Sequence, residues 1–177
     1  ATTHLLQLGH TRIAYVGDEF FDSYGFSTSR ERFQGYSNTL AEHGHKVRDE
    51  YVALGTHDYD VARQLAGGFL KLPEPPTAIF AMSDIQALGC LAAARDMGFK
   101  VPEQLSIIGY DDLEMSYHTG LTTIRQHLEL SGQLAIQHLM HLLKGDSPHP
   151  SPLPPPEVIV RQTTGELLKN STTLHST

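Results

Sequence analysis

The spacing of the apolar runs constrains this chain more than any other feature. "RIAYVG" (12–17), "YVALG" (51–55), "TAIFAM" (77–82) and "LSIIGY" (105–110) are short, continuous and apolar, and a segment with helical character follows each. A strand that faces water on one side alternates apolar and polar residues; a strand covered on both faces need not. Four such runs separated by helices predict an α/β fold, a Rossmann-like parallel sheet with helices on both faces. Helices are expected over 30–44, where Phe33, Tyr36 and Leu40 recur at helical spacing, over 60–72, and over 85–98 behind Ser83 or Asp84 as cap. "LTTIRQ" (121–126) reads as a fifth strand, and 129–145 as an amphipathic helix with Leu134, Leu139, Leu142 and Leu143. A proline-rich loop (146–156) then leads to a last strand, "EVIVRQ" (157–162), and to a polar tail expected to be disordered from about Thr163.

At 177 residues with 40% hydrophobic content, the chain is long and apolar enough for a real core. Thirteen Lys and Arg against twenty Asp and Glu leave it at −7, so it has no general attraction for phosphate backbones. Cys90 is the only cysteine, which excludes an intramolecular disulfide and fits a reducing compartment. No apolar run reaches the roughly 18 residues of a membrane-spanning helix. The opening "ATTHLLQLG" reads as the end of a helix, so a fragment of a longer protein is expected.

Open parallel sheets bind ligands outside the carboxyl ends of their strands. The informative residues are therefore Arg30 and Arg32 after the first strand, His57, Asp58 and Tyr59 after the second, Ser83 and Asp84 after the third, and Tyr110, Asp111 and Asp112 after the fourth. Hydrogen-bonding groups, a cation, an anion and an aromatic face on one rim suit a small polar ligand such as a sugar. Plainer roles compete: Asp84 as a helix cap, Asp111 and Asp112 as turn formers, Tyr59 as packing, Arg32 as a surface ion pair with Asp18 or Glu31. No nucleophile elbow, P-loop or H-E-x-x-H motif is present, so no enzyme is expected. His138 and His141 share a helix face but have no third ligand nearby in sequence; no metal and no cofactor are expected.

"HLLQLGHTRIAYVG", "RERFQGYSNTLAEHG", "PTAIFAMSDIQALGCLAAARDMGFKVPEQLSIIGYDDLE", "LTTIRQ" and "VIVRQTTG" follow one another in order between His4 and about Gly165. That series strongly resembles the effector-binding region of lactose/galactose-repressor (LacI/GalR) family transcription regulators. The resemblance implies a type I periplasmic-binding-protein fold, two Rossmann-like subdomains with the ligand in the cleft between them. This chain would supply the second subdomain and lack the DNA-binding headpiece and most of the first. Residues 1–126 would form the effector-binding subdomain, 127–148 a crossover helix belonging to the other, 149–165 the return strand, and 166–177 a disordered tail. Carried over by position, Arg32 in R-x-x-G-Y matches the arginine that binds effector hydroxyls. Tyr59 matches a stacking aromatic, Ser83 a polar contact, and Asp111 the effector-binding carboxylate; Asp112 matches no regular ligand position. Leu88, Leu91 and Tyr117 fall where the family forms its homodimer. The implied function is sensing a small molecule of the sugar class in the cytoplasm, with DNA bound only through the headpiece and no membrane association. The alternative is a periplasmic sugar-binding protein of a transport system. The wording of "GHTRIAYVG" and "VPEQLSIIGYDD" favours the regulator.

Overall fold

The computed structural model describes residues 1–20, 27–146 and 152–168. The loop residues 21–26, part of the proline-rich segment (147–151) and 169–177 lie outside the described residues. Among the described residues are six α-helices, one 3-10 turn (Asp49–Tyr51) and six strands: α1 (Thr2–Gln7), β1 (Ile13–Asp18), α2 (Thr28–Glu42), β2 (Val52–Gly55), α3 (Tyr59–Phe69), β3 (Ala78–Ala81), α4 (Asp84–Asp96), β4 (Ser106–Ile108), α5 (Glu114–His118), β5 (Thr123–Arg125), α6 (Leu128–Leu143) and β6 (Glu157–Ile159).

Strands β1 to β4 form a parallel sheet in the order β2-β1-β3-β4. Alternate residues of each strand feed opposite faces, because successive side chains point to opposite sides. Ala14, Val16, Ile79, Ala81 and Ile107 meet Ala62, Ala66, Phe69, Ala87 and Cys90 of α3 and α4. Ile13, Tyr15, Ala78, Phe80 and Ile108 meet Leu5, Tyr36 and Leu40 of α1 and α2. Both faces are covered, which is why the strands read as unbroken apolar runs. Gly89 sets the α3–α4 spacing: a Cβ there would lie 2.3 Å from the Tyr59 carbonyl oxygen.

Two expectations are corrected. The fifth strand does not extend the parallel sheet as a full member: β5 pairs antiparallel with β6 in a separate two-stranded sheet, joined to β4 by a single parallel bridge, Ile108 to Thr122. The polar stretch from Thr163 is not a loose tail as far as Leu168. Thr163 and Thr164 are buried. The Thr163 hydroxyl donates to the Ile107 carbonyl at 2.7 Å, and the Leu167 amide donates to the Leu8 carbonyl at 2.8 Å. Threonine hydroxyls complete backbone hydrogen bonds inside, so polarity alone misreads the segment.

Helix α6 stands apart. None of its sixteen residues is buried, although Leu128, Ile136, Leu139, Met140, Leu142 and Leu143 are all apolar. Among the described residues no helix is long and apolar enough to cross a membrane.

Candidate functional site

Parallel strands end on one edge, so the loops after β1 to β4 gather there. Arg32 lies one turn into α2. Its Nη1 donates to the Met82 carbonyl at the end of β3, and its Nη2 stands 3.5 Å from Asp111 Oδ1. The guanidinium carbon sits 3.9 Å from the centroid of the Tyr110 ring, a cation–π contact. A separation of 3.5 Å is a charge contact rather than a strong hydrogen bond. The tighter partner of Asp111 is Gln126, whose Nε2 donates to the same Oδ1 at 2.6 Å. Asp111 Oδ2 receives no hydrogen bond among the described residues.

The acid pair occupies unusual backbone. Asp111 has φ +118° and Asp112 φ +54°, in a region where side chains other than glycine are uncommon. The Asp111 amide is held by the Ile124 carbonyl at 2.9 Å. Burial pushes the Asp111 carboxyl above the usual range, with Arg32 opposing and the Asp84 charge adding to it. Asp112 is turned away. Its Oδ1 accepts from Arg161 Nη2 at 2.6 Å and its Oδ2 from Arg125 Nε at 2.7 Å. Asp112 thus ties the β4 loop to β5 and to the segment after β6.

The other expected contacts separate. Ser83 is fully buried; it caps α4, accepting from the Gln86 amide and donating to Gln86 Oε1. It therefore supports Gln86 from below and does not line the rim. Asp84 does not cap. It is buried, with Oδ2 accepting from the Leu113 amide at 2.8 Å and the Ser116 hydroxyl at 2.6 Å, and Oδ1 from the Thr123 hydroxyl. Tyr59 opens α3 behind Asp58, whose carboxylate accepts from the Asp60 and Val61 amides. Its side chain is exposed. The side chain of that loop whose charge bears on Asp111 is His57.

Three residues at this edge escaped the sequence reading as binding residues: Asp18 and Gln126 on the rim, and Gln86 buried beneath it. Gln86 Nε2 donates to Asp18 Oδ1 at 2.8 Å, and His57 Nδ1 lies 3.1 Å from Asp18 Oδ2. Gln126 was visible only as the end of a strand. Gln86 sits inside a helix whose Ala-rich run reads as core. A cavity of about 550 Å³ adjoins the rim, lined by Arg32, Gly35, Tyr36, Phe80, Tyr110 and Gln126 among others. No group of three His, Cys, Asp or Glu among the described residues stands close enough to hold a metal.

Of the expected dimer residues, Tyr117 is 73% exposed, with Met115 exposed beside it on α5. Leu91 is half-buried against the α3–α4 core, and Leu88 is almost covered at 9%.

Comparison with known proteins gives a consistent result. Residues 2–164 match the periplasmic binding protein-like domain. The chain is 33% identical over 171 residues to the HTH-type transcriptional repressor PurR of Vibrio campbellii, covering 94% of this chain and 50% of that protein. It is 36% identical over 148 residues to the HTH-type transcriptional repressor CytR of Escherichia coli, covering 82% of this chain and 42% of that one. Among solved structures, a sugar-binding transcriptional regulator of the LacI family from Escherichia coli, complexed with phosphate, superposes with a TM-score of 0.83. It shares 27% identity and covers 92% of this chain and 58% of its own. The chain spans about half the length of the curated relatives it matches.

Proposed function

The chain belongs to the periplasmic binding protein-like domain family, and we propose on that premise that it is the effector-sensing part of a bacterial DNA-binding regulator of the lactose/galactose-repressor type. The observation that carries this reading is the meeting of Arg32 and Asp111, 79 residues apart in sequence, at the carboxyl edge of the sheet. A guanidinium and a carboxylate with an unused oxygen recognise hydroxyl and amine groups by charge-assisted hydrogen bonds. The hydroxyl that follows β3, Ser83, is buried and bonded to Gln86, which favours recognition over catalysis. The curated relatives are repressors, which favours the regulator over a transport protein.

In this reading the effector is a small polyhydroxyl molecule of the sugar class. Residues 127–148 pack on the other subdomain, 149–165 return from it, and effector binding shifts the population of two subdomain orientations. The protein works in the cytoplasm as a homodimer that uses α4 and Tyr117, and it meets DNA through a separate headpiece.

A thermal-shift screen of sugars, sugar phosphates and purines against the intact protein identifies the effector, because a ligand that binds only the native state raises Tm. Asp111→Ala and Arg32→Ala are each expected to weaken its binding about ten- to a hundredfold, the scale of one charged hydrogen bond, while DNA binding is retained. Calorimetric affinities equal to the parent's in both variants overturn the assignment.

A further inference from the structure

Asp18 ends β1, between the β2 edge that carries His57 and the β3 edge that carries Met82 and Ser83. Its two oxygens are divided between two partners, Gln86 Nε2 at 2.8 Å and His57 Nδ1 at 3.1 Å. Gln86 is itself 1% exposed, and the Ser83 hydroxyl donates to its Oε1 at 3.1 Å. That bond fixes which end of the amide faces Asp18. The clamp sets the direction of the carboxylate yet leaves it 27% exposed on the edge.

Beneath the same corner lies the Tyr15 hydroxyl, a buried side-chain polar atom with no hydrogen-bond partner among the described residues. Tyr15 is 0% exposed. Its ring runs along β1 over Gly17, where a Cβ would stand 2.4 Å from Cε1 and 2.9 Å from the hydroxyl oxygen. The ring therefore points toward the Asp18 end of the strand, and the charges of both Arg32 and Asp18 act on it. Buried hydroxyls without partners are rare, and this one leaves hydrogen-bonding capacity unused under the rim.

Together with Arg32 and Asp111, the corner holds two carboxylates and one guanidinium, and the guanidinium already serves Met82 and Asp111. An entering phosphate or carboxylate would meet two like charges and a committed cation. Hydroxyl groups would instead find carboxylate lone pairs to donate to.

We infer that Asp18, aimed by Gln86 and His57, is a second ligand-binding carboxylate, and that the effector is an uncharged polyhydroxyl molecule rather than one bearing phosphate or carboxylate. A neutral sugar and the ribose of a nucleoside share that chemistry. The inference rests on the sensor reading above.

The test uses the intact protein and matched probes: galactose with galactose 6-phosphate and galacturonate, glucose with glucose 6-phosphate, and adenosine with adenosine monophosphate. A neutral member is expected to raise Tm while its anionic twin does not; the hexose and adenosine arms tell the two sources apart. Asp18→Asn keeps an acceptor for Gln86 and is expected to weaken the neutral ligand about tenfold or more. Asp18→Ser is the second variant. Both are expected to narrow the preference for the neutral over the anionic twin, a ratio that general destabilisation does not move. Tighter binding of an anionic twin, or an unchanged ratio in both variants, overturns this inference and leaves the sensor reading standing. Failure of every probe to bind overturns both.

Discussion

Asp111 and Asp112 are neighbours in the chain and opposites in titration. Burial is the largest influence on each and pushes both carboxyls up. At Asp112 the hydrogen bonds from Arg161 and Arg125 outweigh it and hold the carboxyl below its usual range; at Asp111 the longer contact with Arg32 does not. The consequences for stability have opposite signs. The contribution of Asp112 is present above its unfolded pKa and is lost as pH falls through the folded one. That of Asp111 is full below its unfolded pKa and is lost as pH rises through the raised folded value. Ionised Asp111 thus costs stability at neutral pH. Asp111→Asn is expected to raise the Tm of the ligand-free protein by roughly 1–3 °C while removing the effector response. A calorimetric Tm below the parent's would show that its bonds to Arg32 and Gln126 outweigh its burial. Asp112→Asn should instead lower stability by about 1–3 kcal/mol, read by urea denaturation, because two arginines lose a charged acceptor.

Two local devices hold the elements in place. Gly109, between β4 and the acid pair, has no room for a side chain: a Cβ would lie 2.4 Å from Asp84 Oδ1 and 3.1 Å from Ala87 Cβ. Gly109→Ala is expected to cost about 1–3 kcal/mol in urea titrations. It should also weaken effector binding, since Asp84 anchors the turn at Leu113 and Ser116 just beyond Asp111 and Asp112. The second device pins the segment after β6. His10 is buried between Thr77, Ser106 and the Gly165 carbonyl at 2.9–3.0 Å, and His4 reaches the Thr164 hydroxyl at 3.0 Å. One tautomer serves His10: Nε2–H donates to Gly165 while Nδ1 accepts from Thr77. Burial lowers both histidines below their ordinary 6.5. Their neutral forms therefore stabilise the fold above about pH 6.5, and that stability is lost as pH falls through the lowered values, where the unfolded chain takes up protons first. Hydrogen-exchange protection factors over 163–168 are expected to fall on acidification in the parent and to be low at all pH values in His10→Ala. A pH-independent pattern in the parent would remove His10 from that role.

At the scale of the molecule, the open question for this chain is what covers its apolar surfaces. Helix α6 carries one acidic residue, Glu129, and a set of exposed leucines, and a helix of that composition is stable in water only when another surface covers it. If the other subdomain covers α6, Ile136→Glu and Leu142→Glu should destabilise the intact protein and leave the sheet residues of 1–126 protected in hydrogen exchange. The proposed homodimer is tested separately by Tyr117→Asp, which is expected to shift the sedimentation equilibrium of the intact protein toward monomer. A parent that sediments as a monomer at micromolar concentrations removes the dimer from the proposal. What the sequence by itself determined is the layered architecture, because burial on both faces of a parallel strand demands a continuous apolar run, and that pattern is local. It also placed Arg32 and Asp111 on one edge, since every strand end in such a sheet opens there. The family resemblance singled out Asp111 of the pair, and only the tertiary structure supplied the two arginines that Asp112 braces. The partners of Asp112 lie 13 and 49 residues away, and the Gln86 that aims Asp18 lies 68 residues away. The same holds for Ser83, whose type suits ligand or cap equally until packing buries it. Hydrogen bonds between distant segments have no period and no local signature, so they are read only from the assembled fold.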